Sequence, residues 1–385
     1  MSFFDSVRHP KKIYRLGIIA SQAFSISNFR GPLVGEMVRR GVIVYALAPD
    51  YDDAKRAAVA ALGAIPIDSS MSRTGMNPVR DALDMCRLAV QLRGLRLDAT
   101  LAYFIKPVIY GTLAARLAGV PKRFAMIEGA GYVFTDSDKT SLRRHVLRTL
   151  VTQLYRLSLS QTQRVFMLNR DDEKLFVESA MVAATKVRLI DGIGLDLDYY
   201  HVVPPVLQPF CFILVARLLR EKGIYDYVDA ARRVKAVHPD ARFLLLGHVD
   251  LNPGSIPEAE VQAWVTEGVV EWPGQVADVR DWIAQASVFV LPSYREGLPR
   301  STQEAMAMGR PIITTDVPGC RETVIDGVNG FMVPVRNPEV LAQAMLRFIE
   351  QPSLMPPMGA ESRRMTEEKF DVHKINAQIL TAMGI

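Results

Sequence analysis

Three features of this 385-residue chain predict two doubly wound α/β domains in series, each a parallel sheet covered by helices on both faces. Strand-like apolar runs alternate with helical patterns through residues 12–190, Pro204, Pro205 and Pro209 interrupt any regular element, and the alternation then restarts. Such strands pair in parallel, because each connection is long enough to hold a crossover helix. The expected division is a Rossmann-like domain over residues 1–202, a second over 203–364, and a helical segment, 365–385, crossing back to the first. Ligands of such sheets bind beyond the carboxyl ends of the strands, so the expected site is the central cleft between the two domains.

In chain order, residues 12–20 read as a strand, 21–28 as a loop, and 32–40 as a helix closed by Gly41. Strands follow at 42–48, 64–67, 99–104, 123–127, 165–168 and 187–190, with helices at 54–62, 78–93, 110–118 and 171–179. Asn169 ahead of Asp171, Asp172 and Glu173 is an N-cap with acids in the first turn. After the proline break, strands are predicted at 211–216, 241–246, 269–272, 288–291 and 311–315, and the tail from 338 is helical apart from a proline interruption at 351–357.

A hydrophobic share of 49% and a charged share of 23% describe a globular chain that can bury two cores. No apolar run approaches the ~20 residues that span a bilayer. Residues 1–10 carry charge where a secretion signal needs an apolar core, so a cytoplasmic location is expected. Cys86, Cys211 and Cys320 are too far apart for a metal motif and odd in number, and read as small buried residues in a reducing compartment. The six histidines form no ligand cluster, and Asp136-x-Asp138 and Asp196-x-Asp198 read as turn caps, so no metal and no cofactor are expected.

Charge is unevenly placed. Residues 1–202 hold 28 Lys and Arg against 19 Asp and Glu, and the remainder 18 against 22. Residues 139–170 contain seven basic side chains and no acid, with Leu142, Val146, Leu150 and Leu154 at every fourth position. A basic amphipathic helix over 139–160 can lie on an anionic membrane surface, or pack on its domain with a solvated basic face. Nucleic acid is not expected as a partner, since no binding motif accompanies the charge.

The chemistry concentrates in residues 293–304. An apolar strand ends at Leu291, a Gly-Leu-Pro turn follows, and a helix starts, with Glu296 before it and Glu304 inside it. At ~1.5 Å per helical residue plus a turn, the two carboxylates stand roughly 10 Å apart. They cannot share one atom, but they can hold two ends of a long ligand whose anionic centre faces the helix N-terminus. After an earlier strand, Arg217 and Lys222 are five apart in a loop, and suit a diphosphate or are two solvated cations. Dinucleotide binding lacks its pattern, because no Gly-x-Gly-x-x-Gly follows a strand and Gly192-Ile193-Gly194 precedes Leu195-Asp196. In the first domain Lys106 and Glu128 each end a strand and would face the cleft; Glu128 is alternatively a turn or helix cap.

Taken together, these residues make the second domain resemble glycosyltransferase family 4, retaining enzymes of GT-B fold. Its glutamate pair, with seven residues between, matches Glu296 and Glu304; its Arg/Lys pair matches Arg217 and Lys222; residues 316–322 and 329–331 resemble later motifs of the family. Residues 104–111 and 123–131 resemble those bacterial members that build lipid-linked glycans, including enzymes that extend undecaprenyl-diphosphate-linked diacetylbacillosamine and those of exopolysaccharide and O-antigen synthesis. The resemblance implies a UDP-linked sugar donor, a polyprenyl-diphosphate-linked saccharide acceptor and a peripheral position on the inner face of the cytoplasmic membrane. Glu304 would bind ribose hydroxyls, Glu296 with the Gly297-Leu298 backbone the donor sugar and phosphate, Arg217 and Lys222 the leaving diphosphate, and the backbone at Gly274-Gln275 the base. Where many family members place a first-domain histidine, this chain has Ile105 and Lys106, so Lys106 and Glu128 become the candidate catalytic residues there. Two rival functions are a GT-B-fold UDP-sugar epimerase, which needs acid/base residues to eliminate and re-add UDP, and a non-catalytic nucleotide-sugar or glycan-binding protein.

Overall fold

The structure, a computed structural model, describes residues 13–71, 77–131, 134, 142–250, 252 and 254–385, with 142–144 as backbone alone. The first half runs β1 (Arg15–Ile19), α1 (Ala23–Arg39), β2 (Ile43–Ala48), α2 (Asp53–Ala61), β3 (Ile65–Asp68), α3 (Pro78–Leu95), β4 (Ala99–Tyr103), a π turn at Pro107–Gly111, α4 (Thr112–Leu117), β5 (Lys122–Ile127), α5 (Leu142–Leu159), β6 (Arg164–Met167), α6 (Arg170–Glu178) and β7 (Val187–Leu189). The second half runs β8 (Cys211–Val215), α7 (Ile224–Val237), β9 (Arg242–Leu246), α8 (Glu258–Thr266), β10 (Glu271–Gly274), α9 (Arg280–Ile283), β11 (Val288–Leu291), α10 (Arg300–Ala307), β12 (Ile312–Thr315), β13 (Gly330–Val333), α11 (Pro338–Glu350), α12 (Met355–Lys369) and α13 (Val372–Met383).

The strands form two parallel sheets, ordered β3-β2-β1-β4-β5-β6-β7 and β10-β9-β8-β11-β12-β13. Both are buried on both faces, which is why their strands read as continuous apolar runs. Along β1, Leu16 and Ile18 join the apolar layer under α1 and α13, while Ile19 joins the layer under α3 and α5. The second sheet has the same two-sided core: Phe212 and Leu214 face α7 and α11, and Cys211 and Ile213 face α10. Order reverses between β1 and β4 in one sheet and between β8 and β11 in the other, and the loops after these strands open the crevices where ligands of such sheets sit. α12 packs beside α10, and α13 returns to lie on α1 and β6 of the first sheet.

Several expectations are corrected. Residues 23–28 are helical, not loop, and the helix starts nine residues before the expected position: Asp50 Oδ1, after β2, accepts from Ala23 N at 2.6 Å, and no local residue signals the start. The run of Ser and Asn there disguises it, since these residues favour turns over helix interiors. β13 was read only as a motif, being four residues opened by a glycine. Cys86 is exposed on the outer face of α3; only Cys211 and Cys320 are buried, which pushes both thiols up to about 12. The four-residue repeat in α5 does not face one way. Leu154 packs inward with Tyr155 and Leu159, whereas Val146 and Leu150 are 59% and 51% exposed. Residues 139–141 and the Asp136-x-Asp138 pair lie outside the described residues. No described helix is long and apolar enough to cross a membrane.

Candidate functional site

The loops after β8 and β11 meet at the carboxyl edge of the second sheet, on either side of its switch point. Lys222 ends a single 3-10 turn after β8, and its Nζ stands 2.6 Å from Glu296 Oε1 after β11. Ser293 Oγ donates to the same oxygen at 2.7 Å, so the carboxylate is held from two sides. The loops are also knitted through backbone: Tyr294 N donates to Glu221 O at 2.9 Å, and a Cβ on Gly223 would lie 2.0 Å from Pro292 O. Residues 316–322 lie beneath, where Glu296 N donates to Pro318 O and Gly319 abuts the Glu296 and Gly297 carbonyls.

Glu304 sits one to two turns into α10 and is 8% exposed. Its Oε1 accepts from Tyr200 Oη and Arg300 Nε, each at 2.9 Å. Burial pushes its pKa up, and Arg300 and Tyr200 offset part of that rise. The two glutamates thus have separate partners. No side chain caps the N-terminus of α7 or of α10, so their first amides remain available to anionic oxygens. Arg217 and Lys222 do not converge on one partner: Arg217 Nη1 pairs with Asp250 Oδ2 at 2.8 Å and is 43% exposed. Gly274 ends β10, in left-handed conformation, next to Gln275, and its carbonyl accepts from Gly247 N at 2.9 Å.

From the first domain, Glu128 follows β5, and among the described residues its side chain caps neither a helix nor a turn. It forms an ion pair with Arg30 of α1, which is 2% exposed and lies 4.7 Å from the centre of the Tyr103 ring. The Glu128 carbonyl touches the second domain, since a Cβ on Gly297 would fall 1.6 Å from it. Lys106 turns away to α3, where its Nζ meets Asp81 Oδ1 at 2.8 Å. Its loop is unusual: Phe104 has φ 69, an uncommon backbone state for an aromatic residue, and a π turn follows at Pro107. Ile105 is 38% exposed and leans over Gly131.

Further contacts hold the cleft together. Asn169 caps α6 as expected and also donates Nδ2 to Gly297 O at 2.5 Å. Arg295 pairs with the buried Asp172, and Arg321 Nη1 with Asp171 Oδ1 at 3.1 Å. Gly192, at φ 91, admits Leu298, and Gly194, at φ 80, admits Val372, so these glycines serve packing between segments. Asp196 caps its own turn, accepting from Asp198 N and Tyr199 N. A cavity of about 660 Å³ under β6, β7 and α13, lined by Arg164, Phe166 and Arg188, shares no residue with the cleft. Sequence reasoning missed Arg30, Tyr200, Arg295 and Arg300. Only Arg300 had a local signal, four residues before Glu304 on one helix face.

Residues 209–351 match the family model described as glycosyl transferases group 1. The N,N'-diacetylbacillosaminyl-diphospho-undecaprenol alpha-1,3-N-acetylgalactosaminyltransferase of Campylobacter jejuni is 27% identical over 353 residues, covering 88% of this chain and 90% of its own. The UDP-Gal:alpha-D-GlcNAc-diphosphoundecaprenol alpha-1,3-galactosyltransferase of Escherichia coli is 22% identical, covering 77% of each. Anabaena Alr3699/HepE in complex with UDP and glucose superposes with a TM-score of 0.74 at 16% identity, over 96% of this chain and 99% of the other. A glycosyltransferase from Rickettsia africae reaches 0.77 at 16% identity, over 97% and 98%. The two facing parallel-sheet domains are the GT-B fold. Residues 209–351 form a glycosyl transferases group 1 domain, and the protein is a glycosyltransferase.

Proposed function

We propose that the protein transfers a hexose or N-acetylhexosamine from a UDP-linked donor, with retention, to an undecaprenyl-diphosphate-linked saccharide in the synthesis of a surface polysaccharide or glycan. The observation that carries this reading is the Lys222–Glu296 pair at the switch point, flanked by uncapped α7 and α10 and backed by Glu304. Relatives named for diphospho-undecaprenol acceptors, aligned over most of the chain, support the acceptor class. The structural neighbour Alr3699/HepE, solved both with UDP and with UDP-glucose, agrees with a UDP donor.

On this reading Glu304 accepts the ribose hydroxyls, Glu296 and the Gly297-Leu298 backbone hold the sugar and its phosphate, and Gly274-Gln275 face the base. The anomeric C–O bond to the diphosphate breaks as the acceptor oxygen bonds to the same face of that carbon. The departing phosphate oxygen takes the acceptor's proton, and Lys222, with Arg217 if it leaves Asp250, balances the growing charge. Glu128, paired with Arg30, orients the acceptor hydroxyl. Lys106 acts there only if it leaves Asp81. No metal and no cofactor enter this scheme.

The acceptor's lipid places the reaction at the inner face of the cytoplasmic membrane, and the exposed Val146, Leu150 and Leu157 of α5, on a basic segment without acids, suit contact with anionic lipid. The test is incubation of the protein with UDP-sugars, with and without a polyprenyl-diphosphate saccharide. UDP release that requires the acceptor is expected. A changed free sugar would support the epimerase instead, and donor binding without turnover the binding protein.

A further inference from the structure

We propose that Asp172 and Arg295 are positioning residues that lock the donor loop of the second domain to the acceptor-side loop of the first, so that domain closure sets Glu296 for transfer. The inference rests on the transferase reading above and adds residues that the reading does not use.

The contacts are convergent. Asp172, in the first turn of α6, is 0% exposed. Its carboxylate meets Arg295 from the other domain, accepts from Asn169 Nδ2 at 2.9 Å, and accepts from the backbone N–H of Ala130. Ala130 is two residues beyond Glu128, and Arg295 is the residue before Glu296. One carboxylate therefore touches the neighbours of both candidate reacting-centre glutamates. The Asn169 Nδ2 that bonds Asp172 also donates to Gly297 O, one residue past Glu296, and Gly297 lies against the Glu128 carbonyl. These contacts link residues 123 and 128 positions apart, so they exist only while the domains are together.

Energetics argue that this is more than surface decoration. An ion pair this buried is costly to break by removing one partner, because the other charge is left without compensation. The neighbouring Arg321–Asp171 pair also spans the domains, but its side chains are 40% and 31% exposed, so it contributes little. Opening the cleft hydrates Asp172 and Arg295 and releases the Glu296 loop from its outer support. Closing restores both together, which makes the pair a gauge of closure rather than part of the donor pocket, whose Lys222 and Ser293 contacts lie within the second domain.

The test uses the full chain and three variants: Arg295→Gln, Asp172→Asn, and Asn169→Ser, which keeps an N-cap but is too short to reach Gly297. UDP affinity is measured by calorimetry, transfer by acceptor-dependent UDP release, and compactness by small-angle scattering with UDP present. Arg295→Gln is expected to bind UDP as wild type does, to transfer about ten- to a hundredfold more slowly, and to show a larger radius of gyration. A further, conservative variant, Arg295→Lys, is expected to regain part of the rate. Turnover and compactness equal to wild type in Arg295→Gln and Asn169→Ser would overturn the proposal. So would loss of UDP affinity in step with turnover, which would assign Arg295 to the donor pocket. If Asp172→Asn fails to fold, the other two variants decide. Should wild type itself neither bind UDP nor transfer sugar, the transferase reading fails, and scattering without ligand still reports whether the lock holds the domains.

Discussion

Lys222 Nζ lies 2.6 Å from Glu296 Oε1 and so joins two loops 74 residues apart at the carboxyl ends of the neighbouring strands β8 and β11. Both side chains are largely buried, at 15% and 13% exposure, and Ser293 Oγ donates to the same carboxylate oxygen. On the proposed reading, an incoming diphosphate would compete with Glu296 for the ammonium and free Glu296 to accept from sugar hydroxyls. Glu296→Gln keeps the shape and removes the charge; Lys222→Ala removes the counter-ion of the leaving group. Each is expected to lower kcat/KM by about 10²–10³ while the thermal unfolding transition stays cooperative. Full activity in both variants, measured by UDP release, would reject this site.

Glu304 gives a pH signature. Burial holds its pKa above the ordinary carboxylate range, so the folded protein binds this proton more tightly than the unfolded chain does. The ionised group therefore costs stability near neutrality, and its stabilising contribution appears as pH falls through the raised folded value and is complete below the unfolded one. Under the proposed role of Glu304, donor binding would have the opposite sign, because accepting ribose hydroxyls needs the carboxylate. As pH falls below neutral, the donor KM of wild type is expected to rise while its Tm rises relative to that of Glu304→Gln. In Glu304→Gln the donor KM should be high and flat over the same range. A donor KM in the variant that equals that of wild type and follows the same pH profile would remove Glu304 from the donor site.

How far this was legible in the sequence depended on the range of the interaction. The β/α alternation was readable because each strand buries both faces and so spells a continuous apolar run, as in Val288–Leu291. The start of α1 was not, because its cap, Asp50, is 27 residues away on another loop. In the site, Lys222 and Glu296 could be paired on paper, since both follow strands whose ends must be neighbours. Arg217 turning to Asp250 and Lys106 turning to Asp81 had no such constraint, as each loop could point its cation several ways. Arg30 was hidden for a different reason: it lies between the stretch that reads as loop, 21–28, and the helix expected from 32, where nothing suggests a buried guanidinium under Glu128.

Gly297 lies directly against the backbone of the first domain. A Cβ there would fall 1.6 Å from the Glu128 carbonyl oxygen and 3.0 Å from Gly129 N, both backbone atoms that cannot rotate away. Gly297→Ala therefore has to part the domains or shift the donor loop. Each core is untouched, so Tm should change little, while transfer is expected to fall by about 10²-fold from a displacement on the order of 1 Å. Equal turnover in Gly297→Ala and wild type would show that the cleft need not close to this distance.

α5 offers the last test, on the surface rather than in the cleft. Its inner side is anchored by Tyr155 and Leu159, whereas Val146, Leu150 and Leu157 are 59%, 51% and 55% exposed. They share the helix with Arg148 and Arg156, and Arg143 and Arg144 lie in its first turn. Apolar side chains set among cations with no acid suit the boundary of an anionic bilayer, where each Lys or Arg contributes about 1 kcal/mol. Val146→Ser with Leu150→Ser, and separately Arg143→Glu with Arg144→Glu, should reduce sedimentation with phosphatidylglycerol-containing vesicles. Neither pair should change Tm by more than about a degree or two, because exposed positions carry little stability. Activity on a soluble, short-chain acceptor should survive both changes, whereas activity on acceptor embedded in vesicles should fall with binding. Unchanged sedimentation in both double variants would leave α5 as a helix with a solvated basic face.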